Sequence, residues 1–347
     1  MCLILDLRSV FLYPATAIAV RAPADSPLAA VFSTAVFFVE RQSKNSAALF
    51  FVSPPRLSPF EPQAFYQILW LTYKIYTKFI YLCTMGYALI TGASSGIGRH
   101  YTSELAARGY NIIAISNQPE QLKTLREEIT AKYGVDVLTL DCDLATESAA
   151  QTIYDRCKGE GIDVEVLICN AGMLLFSTLV ATGVERLCAI INLHCTTVTL
   201  LCRLFGEDMK QRRKGRILIM SSATAWLPYP TIAHYGATKA YLKNFASSLW
   251  YELRPYGVSV TAIYPGAVDT PFYTLSDKRR KLFRHMGIMI SPEKLAHRAI
   301  GTMFRGRRRY TPGLFTKIVV AVCSLIPARL FYPILRIGPI RRLLERI

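Results

Sequence analysis

Metal-ligating and disulfide patterns are missing from this chain. None of its nine cysteines forms a Cys-x-x-Cys pair, and none stands beside histidine at zinc-ligand spacing. That excludes a zinc finger and a redox dithiol motif, and no bound metal is expected. The count is odd, and Cys142 and Cys169 sit inside apolar runs, as buried thiols in a reducing compartment do. The chain is also short of acid, with 24 Asp and Glu against 41 Lys and Arg and a net charge of +17. No nucleic-acid-binding module accompanies that excess, so nucleic acid is not expected as a partner. Ten cations lie between Arg305 and Ile347 against one acid, Glu345, interleaved with apolar runs. Such a mixture suits an anionic membrane surface. The amino terminus lacks the basic start of a secretory signal. His194, His234, His285 and His297 are scattered, with no metal-ligand spacing.

Regular patterning is absent from residues 1–84, which hold apolar bursts such as AVFSTAVFFVE broken by proline, with neither a strand nor a helix period sustained. Residues 65–83 are apolar, but Gln67, Lys74 and Lys78 share one helical face, predicting an interfacial helix rather than a span. Residues 1–84 are therefore expected to be an extension outside the native enzyme, whose polypeptide would begin at Met85.

What is present begins there. GYALITG, NIIAIS, DVLTLDCDL, VEVLICNAG, GRILIMSS and VSVTAIYPG read as six strands with helical stretches between them, including IGRHYTSELAARG and PEQLKTLREEITAKYG. Alternating strands and helices predict an α/β fold, a doubly wound parallel sheet of Rossmann type, as a single catalytic domain over 85–310. The first strand opens into TGASSGIG. Gly92, Gly96 and Gly98 allow a sharp turn and close approach to a pyrophosphate, and the helix that follows aims free N–H groups at it. Further on, Tyr235 and Lys239 stand four residues apart, on one helical face. A tyrosine hydroxyl near pKa ~10 is a poor acid–base catalyst at neutral pH, and a neighbouring ammonium lowers that value.

These motifs resemble the short-chain dehydrogenase/reductase family, and the resemblance runs in order from Met85 to about residue 310. It implies that Gly92, Ser94, Ser95, Gly96, Ile97 and Gly98 cradle the dinucleotide and that Asp143 holds the adenine. Asn170, Ala171 and Gly172 would line the cleft, and Thr270, after Pro265, Gly266 and Val268, would bond the nicotinamide carboxamide. Ser222, thirteen residues before Tyr235, matches the catalytic serine, with Ser221 as the competing residue. Asn192 matches an asparagine that holds water in a proton relay, and Lys239 would also hold the ribose.

The resemblance implies an NAD(P)-dependent oxidoreductase moving a hydride to or from a ketone or secondary alcohol, here a hydrophobic, lipid-like one. NADP(H) is expected over NAD(H). Ser116 stands where NAD binders carry an acid, although Asn117 and Ser95 occupy places where a basic residue is common, and Arg99 lies nearby. The variable substrate loop falls near 268–290. Trp226, Tyr229, Tyr264, Phe272 and Tyr273 flank the motifs, and some should line an apolar pocket. The basic apolar segment 311–347 is expected to meet a membrane surface or cover the substrate mouth. Its uncharged run IVVAVCSLIPA is about eleven residues, short of a span, and Pro327 breaks it. A cytoplasmic, membrane-associated homodimer or homotetramer is expected. Two other readings compete with that of an oxidoreductase. One is an extended-branch sugar-nucleotide epimerase, which would carry a different glycine motif and a larger carboxy-terminal domain. The other is a non-catalytic dinucleotide-binding regulatory protein, which would lose the tyrosine or the lysine.

Overall fold

A computed structural model describes residues 15–20, 35–43, 46–51, 86–174, 176–226, 231–270 and 276–325. The chain divides into two units, Met1–Met85 and Gly86–Ile347. The first contains strands β1 (Ala15–Val20), β2 (Ala35–Ser43) and β3 (Ser46–Phe51) in an antiparallel sheet of order β1-β2-β3. Strands were not expected there, because apolar runs such as that of β2 lack alternation. Phe, Val and Ala in unbroken runs nonetheless favour extended backbone. The interfacial helix proposed at 65–83 lies outside the described residues.

The second unit is built on a seven-stranded parallel sheet. Its strands are β4 (Tyr87–Thr91), β5 (Asn111–Ser116), β6 (Val137–Asp141), β7 (Val164–Cys169), β8 (Gly215–Met220), β9 (Val258–Ile263) and β12 (Arg309–Tyr310), in the order β12-β9-β8-β7-β4-β5-β6. Six are the expected runs; the seventh is a two-residue edge strand paired in parallel with β9. Their near-continuous apolar sequences follow from burial on both faces: Leu89, Ile113, Ile168, Leu218 and Val260 are fully buried. Helices α1 (Gly96–Ala106) and α2 (Pro119–Tyr133) carry the chain outward through β5 to β6. Helix α3 (Ala149–Gly159) returns it to β7 beside β4. The order reverses between β4 and β7, and in such sheets ligands bind at that point, beyond the carboxyl ends of the strands.

From β7 the chain passes through α4 (Val184–Ile191), a π-helical turn at Asn192–Thr196 and α5 (Thr197–Arg212) to β8. The stretch Val184–Arg212 is long and apolar enough to cross a membrane by length and composition. Leu193, Val198, Leu201, Phe205 and Met209 nonetheless pack into the core of this domain. Helix α6 (Ala233–Leu253) leads to β9, and a two-residue parallel pair, β10 (Ala267–Val268) with β11 (Met289–Ile290), closes the loop that contains α7 (Asp277–His285). Helix α8 (Pro292–Phe304) precedes β12, and α9 (Leu314–Leu325) follows it. The first turn of α9 touches the sheet end, where a Cβ at Gly266 would lie 2.7 Å from Thr316 Oγ1.

Candidate active site

The switch point gathers the expected residues from four strand ends. Thr91 closes β4, and its hydroxyl accepts the backbone N–H groups of Asn170 (2.9 Å) and Ala171 (3.0 Å) while donating to the Ile168 carbonyl (3.2 Å). Asn170 answers by donating its side-chain amide to the Thr91 carbonyl at 3.1 Å. The glycine turn is thus stapled to the loop after β7. Gly92 and Gly96 take left-handed φ values of 66° and 52°, which side chains resist. Ser95 precedes α1 in extended conformation, and the first turn of α1 holds no acid, so its N–H groups face the cleft beside uncompensated positive dipole. Ile97 and Gly98 complete the turn. An ideal Cβ at Gly98 would fall 1.9 Å from the Gly92 carbonyl oxygen, so turn and helix touch backbone to backbone. Thr270 is buried across from the turn, its methyl 3.8 Å from where a Cβ of Gly96 would stand. This cradle fits a dinucleotide pyrophosphate.

The far end of the cleft is neutral. Ser94 donates to Gln118 Oε1 at 2.9 Å, so Ser116, 2.8 Å away, must donate to Ser94. Ser94, Ser116 and Gln118 themselves bring hydroxyl and amide groups, not carboxylates, to this wall. Arg99 is paired with Glu128 of α2, Asn117 is exposed, and Asp143 is exposed with Oδ1 accepting the Ala145 N–H at 3.0 Å.

The two serines at the end of β8 have separate roles. Ser221 Oγ donates to the Lys239 carbonyl at 2.8 Å, fixing α6 to the strand. Ser222 Oγ accepts the Thr224 N–H at 3.1 Å, which leaves its own proton to donate elsewhere. Lys239 is buried, donates from Nζ to the Met220 carbonyl at 2.9 Å, and lies 5.5 Å from the centre of the Tyr235 ring. Burial lowers its pKa to about 8, with Cys195 acting weakly the other way. Asn192 opens the π-helical turn, half-buried, and accepts from Thr196 Oγ1 at 3.3 Å. Such turns recur at functional sites. Pro265 accepts the Ala223 N–H at 2.9 Å, joining the cofactor loop to the strand end behind Ser222. Val268 is buried in β10.

Two features here were not expected. His194, treated as scattered, is fully buried beside Tyr235, with ring centres 5.7 Å apart. The stretch expected to be the substrate loop contains a helix, α7, clamped by ion pairs from Arg280 and Arg284 to Asp269. Of the aromatics expected near a pocket, Trp226 and Tyr264 pack on each other at 4.6 Å, and Tyr264 belongs to the core, where burial raises its pKa to about 12. Tyr229, Phe272 and Tyr273 lie outside the described residues.

The sequence profile described as short chain dehydrogenase matches residues 86–281. The chain is 33% identical over 259 residues to 17-beta-hydroxysteroid dehydrogenase type 3 of Mus musculus, covering 73% of this chain and 80% of that protein. It is 33% identical over 210 residues to very-long-chain 3-oxoacyl-CoA reductase of Aspergillus clavatus, 59% of this chain and 58% of that protein. The match thus spans less than two thirds of that reductase. Among solved structures, a short-chain dehydrogenase from Sphingobium yanoikuyae in complex with NADPH superposes with a TM-score of 0.60 at 26% identity, over 70% of this chain and 97% of that one. A structure titled for 7beta-hydroxysteroid dehydrogenase stereoselectivity shares the fold at a TM-score of 0.65 and 24% identity, over 71% of this chain and 95% of that one.

Proposed function

This chain belongs to the short-chain dehydrogenase family, and on that premise we propose that Ser222, Tyr235, Lys239 and Asn192 are its catalytic group. The enzyme is an NAD(P)-dependent oxidoreductase that transfers a hydride between a nicotinamide cofactor and a ketone or secondary alcohol. The observation that carries the catalytic reading is the meeting of Ser222, the half-buried Tyr235 and the buried Lys239 with the glycine turn at one switch point. A bound nicotinamide supplies or accepts the hydride. Ser222 donates to the substrate oxygen and polarises the carbonyl. Tyr235 gives the proton to the developing alkoxide, so both hydrogen bonds strengthen as charge grows. Lys239 favours the phenolate left behind, and Asn192 holds the water that returns a proton.

The proposed substrate is hydrophobic and lipid-like. The support is the pair of relatives named for a hydroxysteroid and for very-long-chain 3-oxoacyl-CoA, together with α7 and the residue after it, where Leu282 and Met286 are exposed beside Lys278, Arg279 and Lys281. NADP(H) is the proposed cofactor because a 2′-phosphate meets no carboxylate at Ser94, Ser116 and Gln118. The test is dinucleotide oxidation over 3-oxoacyl-CoA thioesters of graded length and over 17-ketosteroids, with NADPH and NADH compared. Turnover with a long-chain or steroid ketone and tighter NADPH binding is expected. Activity confined to small polar ketones, or tighter NADH binding, overturns the respective part.

The same reading places residues 311–347 against an anionic membrane in a reducing, cytoplasmic compartment. Its support is the face of α9, where Leu314, Phe315, Ile318, Val322 and Leu325 are exposed on a chain whose tail is rich in arginine. The enzyme is expected to co-float with vesicles containing anionic lipid. Ile318→Glu with Val322→Glu should abolish flotation without disturbing the buried Thr316. A wild-type enzyme that never floats ends the idea.

A further inference from the structure

We infer that His194 is a positioning residue for Tyr235, acting through a directed chain of hydrogen bonds that ties the catalytic helix to the loop behind the cofactor cleft. The inference rests on the catalytic reading of Tyr235 above.

Donor logic fixes the direction of the chain. The backbone N–H of Met173 lies 3.1 Å from His194 Nε2, and a backbone N–H can only donate, so Nε2 is the acceptor. The ring proton therefore sits on Nδ1. Nδ1 is 2.9 Å from Thr238 Oγ1, which thus accepts. The Thr238 hydroxyl keeps its own proton and donates it to the Tyr235 carbonyl at 2.8 Å. Each link has one donor and one acceptor, and none can be reversed without placing two donors face to face.

The chain continues beyond the histidine. Met173 follows Asn170, Ala171 and Gly172, and Asn170 is itself bonded to the turn at Thr91. Glycine turn, cleft loop, imidazole, threonine and tyrosine backbone thus form one connected run. The imidazole also packs edge-on against the Tyr235 ring, at an interplanar angle of 76°. The phenol is held by its backbone through Thr238, itself bonded to His194, and by its ring through His194 directly.

The surroundings require a neutral imidazole. His194 is fully buried, and a Cβ at Gly172 would lie 3.1 Å from Nε2, so no water fits between loop and ring. Burial first, then the Lys239 ammonium and His234, hold its pKa well below the usual histidine value. A proton on Nε2 would oppose the Met173 N–H and add charge beside Lys239. Tyr235 and Thr238 complete the groups that face the ring.

The test compares His194→Phe, which keeps shape but removes both links, with His194→Asn, which keeps a donor toward Thr238, and with Thr238→Val, which breaks the chain one link later. Misplacing a catalytic group by about an ångström costs up to about a hundredfold in rate. His194→Phe and Thr238→Val are therefore each expected to lower kcat about ten- to a hundredfold, with dinucleotide Kd and ketone KM changed less than about threefold. His194→Asn should recover at least half of that loss on a logarithmic scale. The double variant His194→Phe, Thr238→Val should lose no more than the worse single variant, because both cut one chain. The inference is overturned by a kcat within about twofold of wild type in Thr238→Val, by losses that multiply, or by a loss explained by Kd alone. If His194→Phe fails to fold, Thr238→Val and His194→Asn carry the decision. Tyr235→Phe, run in parallel, separates the two readings. Full activity there removes the catalytic assignment itself, whereas an inactive Tyr235→Phe beside active His194 and Thr238 variants removes only the role of His194.

Discussion

Tyr235→Phe is expected to lower kcat about a thousandfold, the scale of a lost general acid, while dinucleotide affinity stays within about twofold. The substitution removes one oxygen and leaves the ring. The edge contact to His194 and the 5.5 Å approach of Lys239 are ring features and persist. Stopped-flow turnover with fluorescence titration of the cofactor reads both quantities. Wild-type activity in this variant removes the assignment, and lost cofactor binding would point to misfolding instead. The pH dependence of the wild type follows from Lys239. Burial lowers its pKa to about 8, so the ammonium is present below that value and is lost as pH rises through it. The charged form favours the phenolate, so kcat/KM for ketone reduction should fall as pH rises through about 8. A profile still climbing at pH ~9 contradicts the role given to Lys239.

Gly98→Ala should be nearly as damaging, by a different route. The new methyl would stand 1.9 Å from the Gly92 carbonyl oxygen, 2.7 Å from its carbon and 2.8 Å from Asn170 Nδ2. None of these atoms can give way cheaply. Gly92 is held in a left-handed turn, and Asn170 is bonded to Thr91. Overpacking typically costs about 1–3 kcal/mol, and a clash with backbone lies at or above the top of that range. For a domain of this size each kcal/mol moves Tm by about 2–4 °C, so a fall near 10 °C is expected. Because the displaced atoms form the phosphate turn, cofactor affinity should drop by about a hundredfold or more, roughly 2.7 kcal/mol of binding energy. Gly159→Ala is the control: a Cβ there meets nothing within 4 Å. Equal thermal stability and cofactor affinity in Gly98→Ala and wild type would mean the turn is not packed as described.

The fold was legible because burial on both faces makes strands such as β7 and β8 near-continuous apolar runs with at most a charged residue near the start. VEVLIC and GRILIM announce themselves as runs, and the glycine turn announces the helix after the first of them. β12 could not be read the same way. Arg309 and Tyr310 have no strand signature, and only pairing with Ala262 and Ile263 makes them one. Helix α7 was hidden for the opposite reason: DKRRKLFRH carries charge on nearly every face, so no apolar stripe marks it. Motif spacing favoured Ser222 over Ser221, and the bond of Ser221 to the Lys239 carbonyl became visible only in the fold. His194 gave one usable signal, a polar ring within the apolar run AIINLHC. Its partners come from Met173 and Thr238, 21 residues before and 44 after, beyond the reach of local pattern.

The seating of Thr316 on Gly266 has a thermodynamic consequence. Gly266 belongs to the loop that leads to Thr270, and no side chain could stand between that loop and α9. Thr316 and this loop are in close contact, so a shift of α9 there would press on the loop. If a ligand on the outer face of α9 favours one position of the helix and the loop follows, dinucleotide affinity changes by some factor. Reciprocity then obliges the dinucleotide to change affinity for that ligand by the same factor. Coupling of that kind would make α9 and the cleft two ports of one equilibrium, each a measure of the other.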